Sequence, residues 1–107
     1  DESAKEIRSQ VRGLTDQEFK VFLTVGQLEE SQEIVDYKSL SQKLALTESS
    51  IRDYIQRIIK KGIPVEKIKI NNKSIHLKIS EKLRKIAPLP YIMELRNLDS
   101  TRTLNDF

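Results

Sequence analysis

The sequence predicts a mainly α domain with a small β-hairpin: a three-helix core, the hairpin behind it in the chain, and extra N- and C-terminal helices. Three observations predict this. Apolar residues recur at steps of three and four as far as Lys61, which is the helical period. The period becomes two between Val65 and Ile79, where alternating runs flank Asn71-Asn72-Lys73. Starts and stops punctuate the chain between these runs, at Gly13, Thr15, Asp36, Thr47, Gly62 and Pro64.

Each element has its own signature. Residues 3–12 form a helix with a narrow stripe of Ala4, Ile7, Val11 and Leu14, and Gly13 ends it. Thr15-Asp16-Gln17-Glu18 is a capping box, in which the Thr15 hydroxyl accepts from a backbone N–H three residues on while Glu18 reaches back. Phe19, Phe22, Leu23, Val25 and Leu28 follow at helical spacing, and Glu29, Glu30 and Glu33 close the segment on a solvated surface. Asp36 caps a short helix holding Tyr37, Leu40 and Leu44. Thr47 caps another from Glu48 to Lys61, with Ile51, Tyr54, Ile55, Ile58 and Ile59 on or beside one face. Gly62 supplies the positive φ of a helix end, and Pro64 prevents continuation. The hairpin places Val65, Ile68 and Ile70 before the turn and Ile75, Leu77 and Ile79 after it, with the asparagines tolerating a left-handed turn. Ser80 caps a helix from Glu81 to Ala87, Pro88 and Pro90 interrupt, and Tyr91 to Leu98 forms a last one.

With 107 residues there is room for one domain with a modest core. Apolar residues supply 37%, and 13 isoleucines carry most of the packing in the absence of tryptophan. No apolar run approaches the ~18–20 residues of a membrane span, so no membrane contact is expected. The absence of cysteine excludes disulfides and thiolate zinc sites and fits an intracellular protein. The chain opens at Asp1 without a methionine, which points to a piece of a longer protein or a trimmed chain. The net charge of +3 is unevenly spread: residues 1–35 carry −4, residues 36–85 carry +8 and residues 86–107 carry −1. A polyanion would bind the middle segment, although a lysine-rich solvated surface accounts for the same count.

From Tyr37 to Lys61, Leu40 and Leu44 anchor one helix, Leu46 plugs the turn, and Ile51, Ile55 and Ile58 anchor the next. On Tyr37-Lys38-Ser39-Leu40-Ser41-Gln42-Lys43-Leu44, Leu46 to Ile55, and Ile58-Ile59-Lys60-Lys61-Gly62-Ile63, the chain resembles the winged helix-turn-helix family of prokaryotic, including archaeal, transcriptional regulators. The resemblance covers about residues 15–80, and Ser41 stands where the family usually has alanine. It implies that the helix from Glu48 enters the major groove of double-stranded DNA and that the hairpin is a wing. On this reading residues 1–14 serve dimerisation or linkage, 15–80 form the DNA-binding domain, 81–98 the C-terminal helices, and 99–107 a flexible tail.

Helical projection independently turns Ser49, Asp53, Gln56 and Lys60 away from Ile51, Ile55 and Ile58, flanked by Ser50, Arg52 and Arg57. The expected base readers are Ser49, Ser50, Arg52, Asp53 and Gln56, because arginine suits guanine, glutamine adenine, and a carboxylate accepts from cytosine. Arg57, Lys60 and Lys61 are expected on phosphates. Lys38, Ser39 and Lys43 would clamp phosphate beside the turn, and Thr47 either joins them or acts as a cap alone. Lys69, Asn71, Asn72 and Lys73 at the hairpin tip reach backbone or minor groove, or are ordinary turn formers. His76 stands alone, Tyr37, Tyr54 and Tyr91 read as packing residues, and no nucleophile–base set, phosphate loop or metal cluster is present, so neither catalysis nor a cofactor is expected. One domain offers DNA a small surface, so a homodimer on paired half-sites is expected through Ile7, Val11, Ile92 and Leu95, with packing onto their own domain as the alternative. The expected location is the cytoplasm, on the nucleoid. The competing reading is a winged-helix adaptor for protein partners, which Glu48 and Asp53 on the presumed DNA face favour. Structured RNA shares the charge signature.

Overall fold

A computed structural model of the chain describes residues 2–31 and 33–86. The elements in order are α1 (Glu2–Arg12), α2 (Asp16–Glu30), α3 (Tyr37–Leu44), α4 (Glu48–Lys60), β1 (Val65–Lys69), β2 (Ile75–Ile79) and α5 (Glu81–Ile86). The described chain is thus mainly helical with one two-stranded antiparallel sheet, as the two periods predict. The expected helix from Tyr91 to Leu98, the tail 99–107, and Ile92 and Leu95 lie outside the described residues.

Helices α2, α3 and α4 pack on one another, and α2 also contacts β2. Their shared core contains Val21, Phe22 and Val25 from α2, Leu40 from α3, and Ile51, Ile55 and Ile58 from α4, all 0% exposed. Three such isoleucines, at roughly 1.5–3 kcal/mol each for full burial, fix the rotation of α4 about its axis. Ile59 lies at the edge of that face and stays 36% exposed.

The caps expected at Thr15, Asp36 and Thr47 form. Thr15 and Glu18 close their capping box on α2, and Asp36 caps α3 through the Ser39 N–H at 2.7 Å. Helix α4 ends in a Schellman arrangement, with the Ile63 N–H on Ile58 O at 3.3 Å and the Gly62 N–H on Ile59 O at 3.0 Å. The turn from α3 to α4 is made differently from a glycine turn. Ala45 sits in the left-handed region, with φ 55° and ψ 43°. Ser41 contributes to this turn: its hydroxyl donates to Leu46 O, while Ser41 O accepts from the Leu46 N–H at 3.1 Å. Ala45→Gly is expected to stabilise the fold by about 0.5–1 kcal/mol, because a left-handed Cβ costs about 1–2 kcal/mol and glycine's extra unfolded freedom offsets only part of that. A lower denaturation midpoint for the variant would contradict this.

The strands pair from Val65↔Ile79 to Lys69↔Ile75. Only Val65, Leu77 and Ile79 are buried, whereas Ile68 and Ile70 are 41% and 53% exposed. The reason is phase: Ile68 and Ile70 lie an odd number of residues from Val65 and so fall on the opposite face. The tip is built without a left-handed asparagine, since neither Asn71 nor Asn72 has a positive φ. Instead the Asn71 side-chain oxygen accepts from the N–H groups of Lys73 at 2.8 Å and Ser74 at 2.9 Å, an Asx turn.

Three further expectations are corrected. Glu29 is not a solvated acid. It accepts from the Ile79 N–H and pairs with Arg84 at 3.0 Å, joining α2 to β2 and α5. On the same edge of β2, the Leu77 N–H donates to Val35 O at 2.8 Å, so that edge is covered. In α1, Val11 is 1% exposed in the domain's own core and Ile7 packs against that core. Val11 is therefore spent on folding and offers no surface for a second copy. Lys61, expected on phosphate, donates to Gly13 O at 3.0 Å and pairs with the buried Glu18.

Candidate functional site

The burial of Ile51, Ile55 and Ile58 leaves the opposite side of α4 as a continuous polar surface. Ser49, Arg52, Asp53, Gln56, Arg57 and Lys60 are all exposed there, and Ser50 is half-buried. These are the side chains that the helical period turned outward, and no other described element covers them. On α3, Lys38 and Lys43 are exposed and Ser39 is half-buried; at the hairpin tip Lys69, Asn71, Asn72 and Lys73 are exposed. Strand β1 follows α4 after a four-residue exit and stays in contact with it, which ties the hairpin to the helix end.

The hydrogen bonds sort these groups by what remains available. The Ser39 hydroxyl accepts from the Asp36 N–H at 3.0 Å and donates to Asp36 O at 3.1 Å. It is committed to the α3 cap, beside the Asp36 carboxylate that accepts from the Ser39 N–H. Thr47 accepts from the Ser50 N–H at 3.1 Å and its hydroxyl donates to Ser50 Oγ at 2.9 Å, so the capping alternative accounts for it. The Asn71 oxygen is spent on the turn, so what the tip still presents, among the described residues, is the Asn71 NH2 group, Asn72 and the two lysines.

Both arginines lean on aromatic rings, which the sequence did not reveal. The Arg52 guanidinium carbon lies 5.1 Å from the Tyr37 ring centroid, and that of Arg57 lies 5.6 Å from Tyr54. At such range the ring's negative face attracts the cation and limits its rotamers. Arg57 and Tyr54 are three residues apart on one helix, a spacing that sequence reading can use. Tyr37 and Arg52 meet only through the packing of α3 on α4. Asp53 enters no ion pair among the described residues.

The chain matches no family model, no curated protein and no solved structure.

Behind this face, the ion pair of Glu18 and Lys61 joins the start of α2 to the end of α4. The Glu18 side chain is 3% exposed and that of Lys61 35%. Burial pushes the Glu18 carboxyl up, but the Lys61 hydrogen bond, the Thr15 N–H at 3.0 Å and the Lys61 charge outweigh it. The net pKa lies below the ordinary glutamate value. Among the described residues no group of three His, Cys, Asp or Glu side chains is placed to hold a metal, and no helix is long and apolar enough to cross a membrane.

Proposed function

We propose that the chain is a winged helix-turn-helix module that binds double-stranded DNA, as part of a transcriptional regulator or chromosome-associated protein. Helix α4 is the recognition helix in the major groove, and the β1–β2 hairpin is the wing, resting on adjacent backbone or in the minor groove. One observation carries the reading: a helix locked by three wholly buried isoleucines presents an uncovered face of arginine, lysine, serine, glutamine and aspartate. Those side chains supply cations for phosphate and donors and acceptors for base edges. The +8 balance of residues 36–85 gives the long-range attraction. A dimer on paired half-sites would raise affinity, and with Val11 in the core it would have to form through other surfaces.

The test is fluorescence anisotropy with duplex DNA, titrated against salt. Neutralising four to six phosphates gives log affinity a slope of roughly −4 to −5 against log salt. The double variant Arg52→Ala, Arg57→Ala is expected to weaken binding about tenfold at low salt and flatten the slope by about 2, each lost phosphate contact removing about 0.9. Its fold should persist, because both arginines are exposed and exposed cation–π contacts are worth about 0.5–1 kcal/mol. Unaltered binding by the folded double variant would contradict the assignment of α4.

A second reading, an adaptor for a protein partner, is favoured by the exposed isoleucines Ile34, Ile68 and Ile70, at 63%, 41% and 53%. A folded wild-type chain that fails to bind duplex at low salt would favour it.

A further inference from the structure

The acid on the α4 face is the least expected feature of a surface meant for a polyanion. Asp53 is exposed and sits between Ser49, one turn before it, and Gln56, one turn after it. Arg57 is four residues on, in the acid-before-base order that favours a helical ion pair. That pair is not made. Arg57 lies instead on the Tyr54 ring and Arg52 on the Tyr37 ring, so the carboxylate stands between two cations that are both held elsewhere. An unpaired carboxylate weakens binding to phosphate wherever it contacts nothing, and on this face it is useful only where a hydrogen-bond donor meets it.

The major-groove edges of the bases supply that donor unequally. Cytosine presents its N4 amino group, whereas guanine presents two acceptors and thymine an acceptor and a methyl group; adenine offers a donor beside an acceptor. Resting on the DNA reading above, we propose that Asp53 is the base-selecting residue of α4, accepting from cytosine N4, while Arg52 and Arg57, oriented by Tyr37 and Tyr54, bind phosphates. Asp53 thereby does two things. It selects one base pair, and it lowers affinity for every duplex that lacks the pair. The arginines, each fixed against a ring at the flank of the stripe, contribute affinity without choosing sequence.

The experiment is selection of the full chain on a randomised duplex pool, with sequencing of the retained strands, for wild type, Asp53→Asn, Asp53→Ala and Arg52→Ala. Wild type should enrich cytosine at one position about tenfold, the effect of one good side-chain–base contact. Asp53→Asn should move that preference to adenine, because an amide pairs with adenine's donor and acceptor together. Asp53→Ala should lose the preference and bind unselected duplex more tightly than wild type. Arg52→Ala should weaken all sequences alike and keep the cytosine. Among the described residues the Asp53 side chain has no hydrogen bond or ion pair to lose, so thermal melting of the variants should match wild type. A pool retained by wild type without a cytosine preference, or a preference unmoved by both Asp53 variants, overturns this assignment while leaving DNA binding standing. A pool not retained at all overturns the DNA reading and the assignment with it.

Discussion

Replacing Lys61 with methionine is expected to destabilise the fold by about 2–3 kcal/mol, well beyond the cost of an ordinary surface lysine. Removing one partner of a buried ion pair typically costs about 3–5 kcal/mol, because the other charge stays buried and uncompensated. The expectation here is lower because the Lys61 side chain is 35% exposed, so water already screens part of the pair. The effect should be asymmetric. Glu18→Gln leaves an amide that can still close the capping box with Thr15, and Lys61 keeps Gly13 O and reaches solvent, so that variant should lose only about 1 kcal/mol. Denaturant titration measures both. Equal losses, or no loss for Lys61→Met, would contradict the pair's role. Acid provides an independent check. The folded pKa of Glu18 is depressed, so its contribution is complete above the unfolded value and is lost as pH falls through the lower folded value. In Lys61→Met burial acts on Glu18 without its cation and raises the folded pKa. The gap between variant and wild type should therefore narrow on acidification.

The second large effect is expected at Gly62. With φ 95°, it lies in a region that side-chain-bearing residues rarely adopt, and a Cβ built there would come within 2.5 Å of Gln10 Nε2. The Gln10 amide is the end of a flexible side chain and can move, so the backbone conformation sets most of the cost. Gly62→Ala should destabilise by about 2 kcal/mol, within the 1–3 kcal/mol range of such strained positions. The site matters beyond stability, because Gly62 ends α4 and Ile63, 1% exposed, starts the path into β1. An unfolding free energy within about 0.5 kcal/mol of wild type, the ordinary range of surface substitutions, would show that the residue relaxes out of this conformation.

What was legible in the sequence was local. The capping box at Thr15, the N-cap at Asp36, the buried stripe of α4, the Gly62 stop and the change of period at Val65 each depend on residues a few positions apart. What was not legible depended on partners far along the chain. Glu29 reads as one of three solvated acids until β2 and α5 bring Ile79 and Arg84 to it. Lys61 reads as one more cation of a basic exit until α2 places Glu18 beneath it. Val11 reads equally as core or interface, and only the packing of α1 decides. Within the candidate face, the outward side chains of α4 followed from periodicity alone. The cap role of Thr47 was half visible, since capping and phosphate contact compete for the same hydroxyl, whereas the Ser39 hydroxyl was read only as a phosphate contact and its part in the Asp36 cap was missed. The stacking of Arg52 on Tyr37 required the crossing of two helices and left no sequence signal. At the hairpin tip the asparagines did mark a turn, but Asn71 makes it with its side chain, so the residue type was informative and the assumed backbone conformation was not.

Whether the outward face of α4 meets DNA, as proposed, can be read residue by residue from amide chemical-shift mapping during titration with a short duplex. Shifts are expected at Ser49, Arg52, Asp53, Gln56 and Lys60 and at Lys69 to Lys73, with Ile34 and the Ile7 side of α1 unmoved. Shifts centred on Ile34 and Ile68 with α4 silent, or none at low salt in a folded sample, would contradict the proposal.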